Sequence, residues 1–165
     1  MNIASSLENI ILELGLYRKL CEHTTKSMPT VSGWTVGQHI EHVLKVNLAG
    51  VKIVTSEQPS ANTPIRPAGF RSHLILLFGI IPRGRAKAPK GVEPSGQSSD
   101  QLLPVLEQCV RQLCALRARA KEFERNTELL QHPVLNGLTR RQWIRFVEVH
   151  QHHHYKIISD ILRGA

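Results

Sequence analysis

Cysteines are scarce in this sequence. Of its 165 residues only Cys21, Cys109 and Cys114 are cysteines, and no two of them stand in a CxxC spacing. An odd number of cysteines without such spacing argues against a disulfide framework. This usage is typical of a reducing compartment, so we expect a cytoplasmic protein.

Long apolar runs are absent as well. The longest, residues 74–81, has eight residues, whereas a membrane-spanning helix needs about 20. The opening segment MNIASSLENI has no basic region followed by an apolar one, so we expect no signal peptide. The sequence therefore predicts no membrane partner.

Aromatic residues are few, at 5% of the chain. The apolar fraction is mostly aliphatic, which suits helices packed through Leu, Ile and Val better than a β-sandwich. A chain of 165 residues is long enough to bury one core without cross-links. We expect a single domain over residues 1–165.

Helix starts are marked by a recurring pattern in which Ser or Thr is followed three residues later by Glu or Gln. In such a capping box the two side chains satisfy backbone N–H groups at a helix start. The pattern occurs at Ser5/Glu8, Thr35/Gln38, Ser98/Gln101 and Thr139/Gln142. With the apolar periodicity that follows each box, it predicts helices at about residues 7–23, 36–54, 101–125 and 140–162. Pro104 is expected near the first turn of the third helix.

A long connection, residues 56–97, separates the second and third predicted helices. It is rich in proline and glycine, and a structureless loop of this length is uncommon in a compact domain. We expect the apolar run at residues 74–81 to form a short helix or a buried segment. The predicted fold class is all-α, a four-helix bundle with a long crossover between helices two and three.

The net charge of +8 raises the question of an anionic partner. The basic residues gather only in one Pro/Gly-rich stretch, at Arg83, Arg85, Lys87 and Lys90, with no aromatic residues between them. A nucleic-acid binder usually combines a basic face with stacking residues or a known motif. The stretch is either a solvated basic loop or an anion site, and it argues against nucleic acid as the partner.

Histidine, in contrast to cysteine and the aromatic residues, is abundant. The chain has nine histidines, and four of them lie within residues 150–154. Gln151 interrupts the run and a helical pattern continues beyond it, which argues against a purification tag. A buried structural cluster and a metal site remain. His150 and His154 are four residues apart on the inward stripe, so their imidazoles can reach one ion. Without an ion, two buried imidazoles would each risk an unpaired nitrogen, at about 1–3 kcal/mol.

A third ligand is expected from the second helix, which offers His39 and His42. The helical wheel places His39 nearer the apolar stripe and His42 at its margin, so periodicity favours His39 weakly. On the last helix, His153 lies at the edge of the stripe and His152 points outward.

Two segments of this chain resemble the DinB-like superfamily of metal-binding four-helix bundles. WTVGQHIEHV, residues 34–43, is similar to its second-helix signature, with a histidine eight positions after the tryptophan. HQHHHYKII, residues 150–158, is similar to its last helix, and the lead-in HPVLNGLT with Trp143 resembles a subgroup. The resemblance implies that His42, rather than His39, joins His150 and His154 as ligands of a divalent ion (zinc, nickel or iron). Ile157 departs from the family, which often has Gln there.

The resemblance also implies a function, because the superfamily includes thiol S-transferases and hydrolases. We therefore expect a metal-dependent transferase or hydrolase whose substrate is a small molecule, such as a low-molecular-weight thiol. Glu41 is interpreted either as a base near the ion or as an exposed glutamate, and His153 and Tyr155 either as substrate-orienting or as rim residues. The alternatives are a non-catalytic metal-binding or stress-response bundle and a nucleic-acid-associated protein. A homodimer through exposed helix faces is compatible with the sequence.

Overall fold

A computed structural model describes residues 2–56, 64–84 and 87–164 of the chain. The described part is mostly helical, with one small antiparallel sheet. Its helices are α1 (Ile3–Leu20), α2 (Val36–Thr55), α3 (Phe70–Phe78), α4 (Ser99–Ala118), α5 (Ala120–Phe123) and α6 (Arg140–Arg163). The strands are β1 (Leu130–His132) and β2 (Asn136–Leu138). Within these ranges no helix is long and apolar enough to cross a bilayer.

Three of the four predicted helix starts are confirmed. Thr35 and Thr139 each accept a hydrogen bond from the backbone of the Gln three residues on, and Ser98 precedes α4 as expected. The start of α1 was predicted wrongly, because Asn2 rather than Ser5 is its N-cap and accepts a hydrogen bond from the Ser5 N–H. Asn is as good an N-cap as Ser, and the earlier cap adds a turn.

The third predicted helix is shorter than expected and is split. It begins at Ser99, breaks at Arg119, and resumes as the four-residue α5. Pro104 lies inside α4 as its sixth residue, just beyond the first turn in which it was expected. The proline lacks the N–H that would bond to the carbonyl of Asp100, and the helix continues past it.

Four long helices enclose the core. Both α1 and α2 pack against α4 and against α6. Their inward faces carry fully buried aliphatic side chains, such as Leu7, Leu44, Leu113 and Ile144. Burial of a side chain of this size contributes about 1.5–3 kcal/mol. This packing fixes α2 and α6 relative to each other, and these two helices carry the histidines.

Gly50 of α2 lies close against α6. A Cβ atom added there would lie 2.7 Å from Cγ2 of Val147, which is closer than atoms in a packed core approach. Glycine therefore lets the two helix backbones come together at this level. His42 and His150 lie about two turns and one turn away along their own helices.

The long connection contains α3, so the prediction of a short helix is confirmed. Its burial differs from the expectation, since Leu76 is buried while Leu77 and Phe78 are 71% and 65% exposed. Gly79 ends the helix in the left-handed region, at φ +67°. Part of the connection, residues 57–63 and 85–86, lies outside the described residues.

The two-stranded sheet corrects the purely all-α prediction. Leu130 pairs with Leu138 and His132 with Asn136. Asn136 has φ +63°, a backbone region that Asn adopts more readily than most residues. The Asn136-Gly137 dipeptide, which precedes α6 in the sequence, is a strong signal for a hairpin, but no hairpin was predicted from it.

Candidate metal centre

Three imidazoles meet between α2 and α6. His42 comes from α2, and His150 and His154 come from consecutive turns of α6. One ring nitrogen of each lies within 4.8 Å of the others, and the ring centroids of His150 and His154 are 4.6 Å apart. The capped start of α2 and the inward stripe of α6 place them there. These are the three residues for which a shared site was predicted.

The spacing of the ring nitrogens suits a common ion. Nε2 of His42 lies 3.1 Å from Nε2 of His150. Two nitrogens that are each about 2.0–2.1 Å from a tetrahedral zinc ion are themselves about 3.3 Å apart. Nδ1 of His150 is buried and has no hydrogen-bond partner among the described residues. An ion bound through Nε2 would not pair this Nδ1 atom, so the fit of an ion rests on the spacing of the converging nitrogens.

All three imidazoles are held neutral. Burial lowers the pKa of His150 and of His154 well below 6.5, and the neighbouring histidines lower it further. Burial also lowers the pKa of His42, although its hydrogen bond to Val92 opposes the shift. A neutral imidazole keeps the lone pair that binds a metal. The donor set is therefore ready to bind an ion at neutral pH.

His39 lies beside the cluster. Its Nδ1 is 2.8 Å from Nδ1 of His154, and its Nε2 is 2.9 Å from Oγ of Ser32. Both of its nitrogens are thus engaged by protein atoms. Burial lowers the pKa of His39 to about 4, with further lowering by the nearby His42 and His153. His39 is 2% exposed and His42 is 4% exposed, so burial does not support the weak preference of the helical wheel for His39.

Trp34 closes one side of the cluster. Its ring stacks over His154 at 6.2 Å with an interplanar angle of 16°. It also contacts His39 at 5.3 Å and His42 at 5.1 Å, measured between ring centroids. The tryptophan of the second-helix signature is therefore a wall of the site.

A strap of residues 91–97 crosses the α2 side of the cluster. Nδ1 of His42 donates a 2.7 Å hydrogen bond to the carbonyl oxygen of Val92, and Nζ of Lys45 donates to the carbonyl oxygen of Glu93. The strap thereby orients the His42 ring. Because Val92 offers only an acceptor, the proton of His42 stands on Nδ1 and its Nε2 keeps the lone pair.

Glu41 is the anchor of this strap, which corrects its interpretation as an exposed glutamate. Only 1% of Glu41 is exposed, and its carboxylate accepts hydrogen bonds from the backbone N–H groups of Ser95, Gly96 and Gln97. Burial alone would raise its pKa, but bonds from Lys45 and from the strap lower the pKa to about 2. A carboxylate so firmly held is a poor proton acceptor.

The remaining histidines of the last helix lie where they were expected. His152 is exposed and its Nδ1 lies 2.7 Å from Oε1 of Glu13. His153 is half-buried and contacts His154 edge to face, with 5.2 Å between ring centroids. Tyr155 is also half-buried and packs against Tyr17. The Gln of the family pattern has no counterpart, because Ile157 is core packing at 7% exposure.

Gln151 is a site neighbour that sequence reasoning missed. It is fully buried, although the adjacent His152 is exposed. Its side chain accepts from Asn47 at 2.7 Å and donates to the carbonyl of Ile10 at 3.0 Å, and its own carbonyl accepts from Tyr17. Gln151 is polar and stands between histidines, so apolar periodicity does not reveal that it is buried. Only its pairing with Asn47 on α2 could have indicated its burial.

The described part of the chain is thus a mostly helical protein in which three imidazoles from two helices lie together. The sequence profile of the DinB superfamily matches residues 15–158, and the chain belongs to that superfamily. A relative is the protein of Bacillus subtilis (strain 168) described as "Uncharacterized protein YuaE", which is 28% identical over 146 residues. The alignment covers 86% of this chain and 85% of that protein. No solved structure matches the chain.

Proposed function

We propose that His42, His150 and His154 hold one divalent metal ion, and that the protein is a metal-dependent transferase or hydrolase acting on a small molecule. The architecture proposed with it is the four-helix bundle of α1, α2, α4 and α6, with α3 in the crossover. Residues 1–165 then form one DinB-like domain.

The observation that carries this proposal is the meeting of three neutral imidazoles around one point in a buried place. His42 and His150 approach through Nε2 at 3.1 Å, and one nitrogen of each of the three rings lies within 4.8 Å of the others. Burial keeps the rings neutral, and a site for one ion explains why their nitrogens converge.

The chemistry follows from an incomplete ligand set. Three histidines would leave a coordination position of the ion open, and the ion would lower the pKa of a thiol or water bound at that position. Zinc, nickel and iron all accept imidazole. The chain's own contribution is to orient His42 through Val92, to wall the site with Trp34, and to keep the ligands neutral at physiological pH.

The substrate that we propose is a low-molecular-weight thiol, joined to an electrophile by an S-transferase reaction, with water as the nucleophile if the protein is a hydrolase. His153 and Tyr155 are both half-buried, and His153 contacts His154, which supports a role for His153 in contacting a substrate. We assign no general acid or base. Glu41 is excluded from that role by its hydrogen bonds to the strap.

An activity assay tests the proposal directly. Zn²⁺-, Ni²⁺- and Fe²⁺-loaded protein is mixed with glutathione or cysteine and a chromogenic electrophile, and separately with an activated ester. We expect a metal-dependent rate that disappears in His150→Ala and persists in His152→Ala, whose side chain is exposed. A rate that is equal with and without metal would refute the enzymatic proposal.

Chelation distinguishes the enzyme from a bundle that uses the ion only for folding. The core of aliphatic residues is complete without the histidines, so we expect the metal-free protein to stay folded by circular dichroism. Unfolding on chelation would favour a structural ion instead. The nucleic-acid alternative requires a salt-dependent affinity for DNA, whereas we expect no measurable binding at 150 mM salt.

A further inference from the structure

Ser32, His39 and His154 form a continuous hydrogen-bonded chain behind the candidate metal centre. Nδ1 of His39 lies 2.8 Å from Nδ1 of His154, and Nε2 of His39 lies 2.9 Å from Oγ of Ser32. The Ser32 oxygen also accepts a 3.1 Å hydrogen bond from the backbone N–H of Trp34. The chain thus runs from the loop before α2, through α2, to α6.

The protons in this chain can be placed in two ways. A neutral imidazole carries one N–H and one lone pair, and the contact between the two Nδ1 atoms needs one proton. If His39 supplies that proton, His154 accepts it on Nδ1, its own proton stands on Nε2, and no lone pair is free. If His154 supplies it, the Nε2 lone pair of His154 is free, and His39 donates from its own Nε2 to Ser32.

We propose that His39 and Ser32 are positioning residues that fix His154 in the tautomer able to bind a metal through Nε2. The inference rests on the proposed function, since it takes His154 as a ligand. Histidine ligands usually donate their second N–H to a carboxylate, a carbonyl or water. Here a second, non-ligating imidazole fills that place.

Among the three proposed ligands, His154 alone has a second imidazole as the hydrogen-bond partner of its Nδ1. His42 uses a backbone acceptor, the carbonyl oxygen of Val92 at 2.7 Å. His150 has no partner for its Nδ1 among the described residues. The two acceptors, the carbonyl oxygen of Val92 and the imidazole of His39, are uncharged. They therefore do not offset the positive charge of a bound ion. This favours an anion, such as a thiolate, at the open position.

Packing supports the assignment independently of the hydrogen bonds. Trp34 stacks over His154 and meets His39 edge-on, so both rings are held in one orientation. Its backbone N–H at the same time occupies a lone pair of the Ser32 oxygen. The loop before α2 therefore sets the position of a ligand on α6.

The role of His39 predicts a change in affinity without a change in stoichiometry. His39→Ala removes the acceptor for His154, and we expect the Zn²⁺ dissociation constant to rise by about 10–100-fold, with one ion still bound at saturation. His39→Gln keeps an amide oxygen for His154 and an amide N–H for Ser32. It should restore the affinity to within a few-fold of the wild type. Ser32→Ala should weaken binding less than His39→Ala, and His152→Ala should leave it unchanged.

The measurement is competition of each protein with a chromophoric chelator for Zn²⁺, with folding of the metal-free variants checked by circular dichroism. Nitrogen-15 NMR of the Zn²⁺-loaded wild type locates the proton of His154, which we expect on Nδ1. The NMR result stands even if His39→Ala does not fold.

The possible outcomes distinguish a failure of this inference from a failure of the proposed function. If the wild type binds no Zn²⁺, the proposed function fails and the inference fails with it. If the wild type binds one ion but His39→Ala binds it as tightly, only the inference is wrong. If His39→Ala binds no ion at saturation, His39 is a ligand and not a positioning residue. A proton on Nε2 of His154 in the loaded protein would also overturn the inference.

Discussion

At the residue scale, two neighbouring residues of α2 are both deprotonated but differ in charge, because their surroundings differ. Glu41 stays charged, since backbone N–H groups and Lys45 surround its carboxylate. His42 stays neutral, since burial disfavours its charged form. Hydrogen bonds to an ion reduce the cost of burial, and their absence drives a group to its neutral form. One helix thus supplies both a charged carboxylate that holds the strap and a neutral imidazole that we propose as a ligand.

The buried carboxylate gives the first prediction. Glu41→Gln replaces an acceptor of several N–H groups by an amide that matches them poorly. We expect the free energy of unfolding at pH 7 to fall by about 3 kcal/mol. Urea denaturation measures it, and Glu93→Gln on the exposed strap is the control, with a change of less than about 0.5 kcal/mol.

The hydrogen bonds of Glu41 also predict how the stability of the protein changes at acid pH. The pKa of Glu41 falls from 4.5 to about 2 on folding, so its contribution is complete above pH 4.5 and is lost as the pH falls towards 2. Wild type and Glu41→Gln should therefore converge in stability at low pH. A constant difference between them down to pH 2 would contradict this account of Glu41.

His132 gives a second residue-scale prediction. Its Nδ1 accepts hydrogen bonds from the N–H groups of Val134 and Leu135, and burial lowers its pKa from 6.5 to about 4. The unfolded chain therefore binds the proton first as the pH falls, and stability is lost between pH 6.5 and about 4. His132→Asn keeps an acceptor but cannot titrate. We expect a smaller loss of melting temperature across that window than in the wild type.

At the element scale, the pairing of α2 with α6 decides whether the site exists. Three of the four helix starts were predictable, because the capping residues act locally and their partners are three positions away. The break between α4 and α5 and the exposure of α3 were not predictable, because both depend on packing with distant segments. The hairpin of β1 and β2 was missed although Asn136-Gly137 marked it.

Gly50 supplies the element-scale prediction. Gly50→Ala would force a methyl group to 2.7 Å from Val147, and overpacking of this kind costs about 1–3 kcal/mol. Nothing lies within 4 Å of a Cβ at Gly15 on α1, so Gly15→Ala should instead stabilise the protein by about 0.5–1 kcal/mol.

Both effects are read from chemical denaturation. Val147→Ala in the Gly50→Ala background removes the methyl groups that clash and should recover part of the loss. Equal and favourable effects of the two glycine substitutions would show that α2 and α6 do not approach closely at Gly50.

At the scale of the whole molecule, the sequence predicted the family, the main helices and the three candidate ligands. Periodicity shows which face of a helix turns inward, and a spacing of four places two imidazoles side by side. It does not show what a buried polar residue will meet. For that reason Glu41 was taken as exposed, Gln151 was overlooked, and His39 could not be separated from His42 by the wheel alone. These outcomes depend on the strap and on α1, which are far away in sequence.

The central claim is that His42, His150 and His154 together hold one ion. Metal analysis of the untagged protein, purified without chelators and reloaded with Zn²⁺, tests it most directly, with His152→Ala as the matched control on the same helix. We predict one ion per chain in the wild type and in the control, and almost none in His42→Ala, His150→Ala or His154→Ala. Wild-type stoichiometry in all three folded variants would contradict the claim.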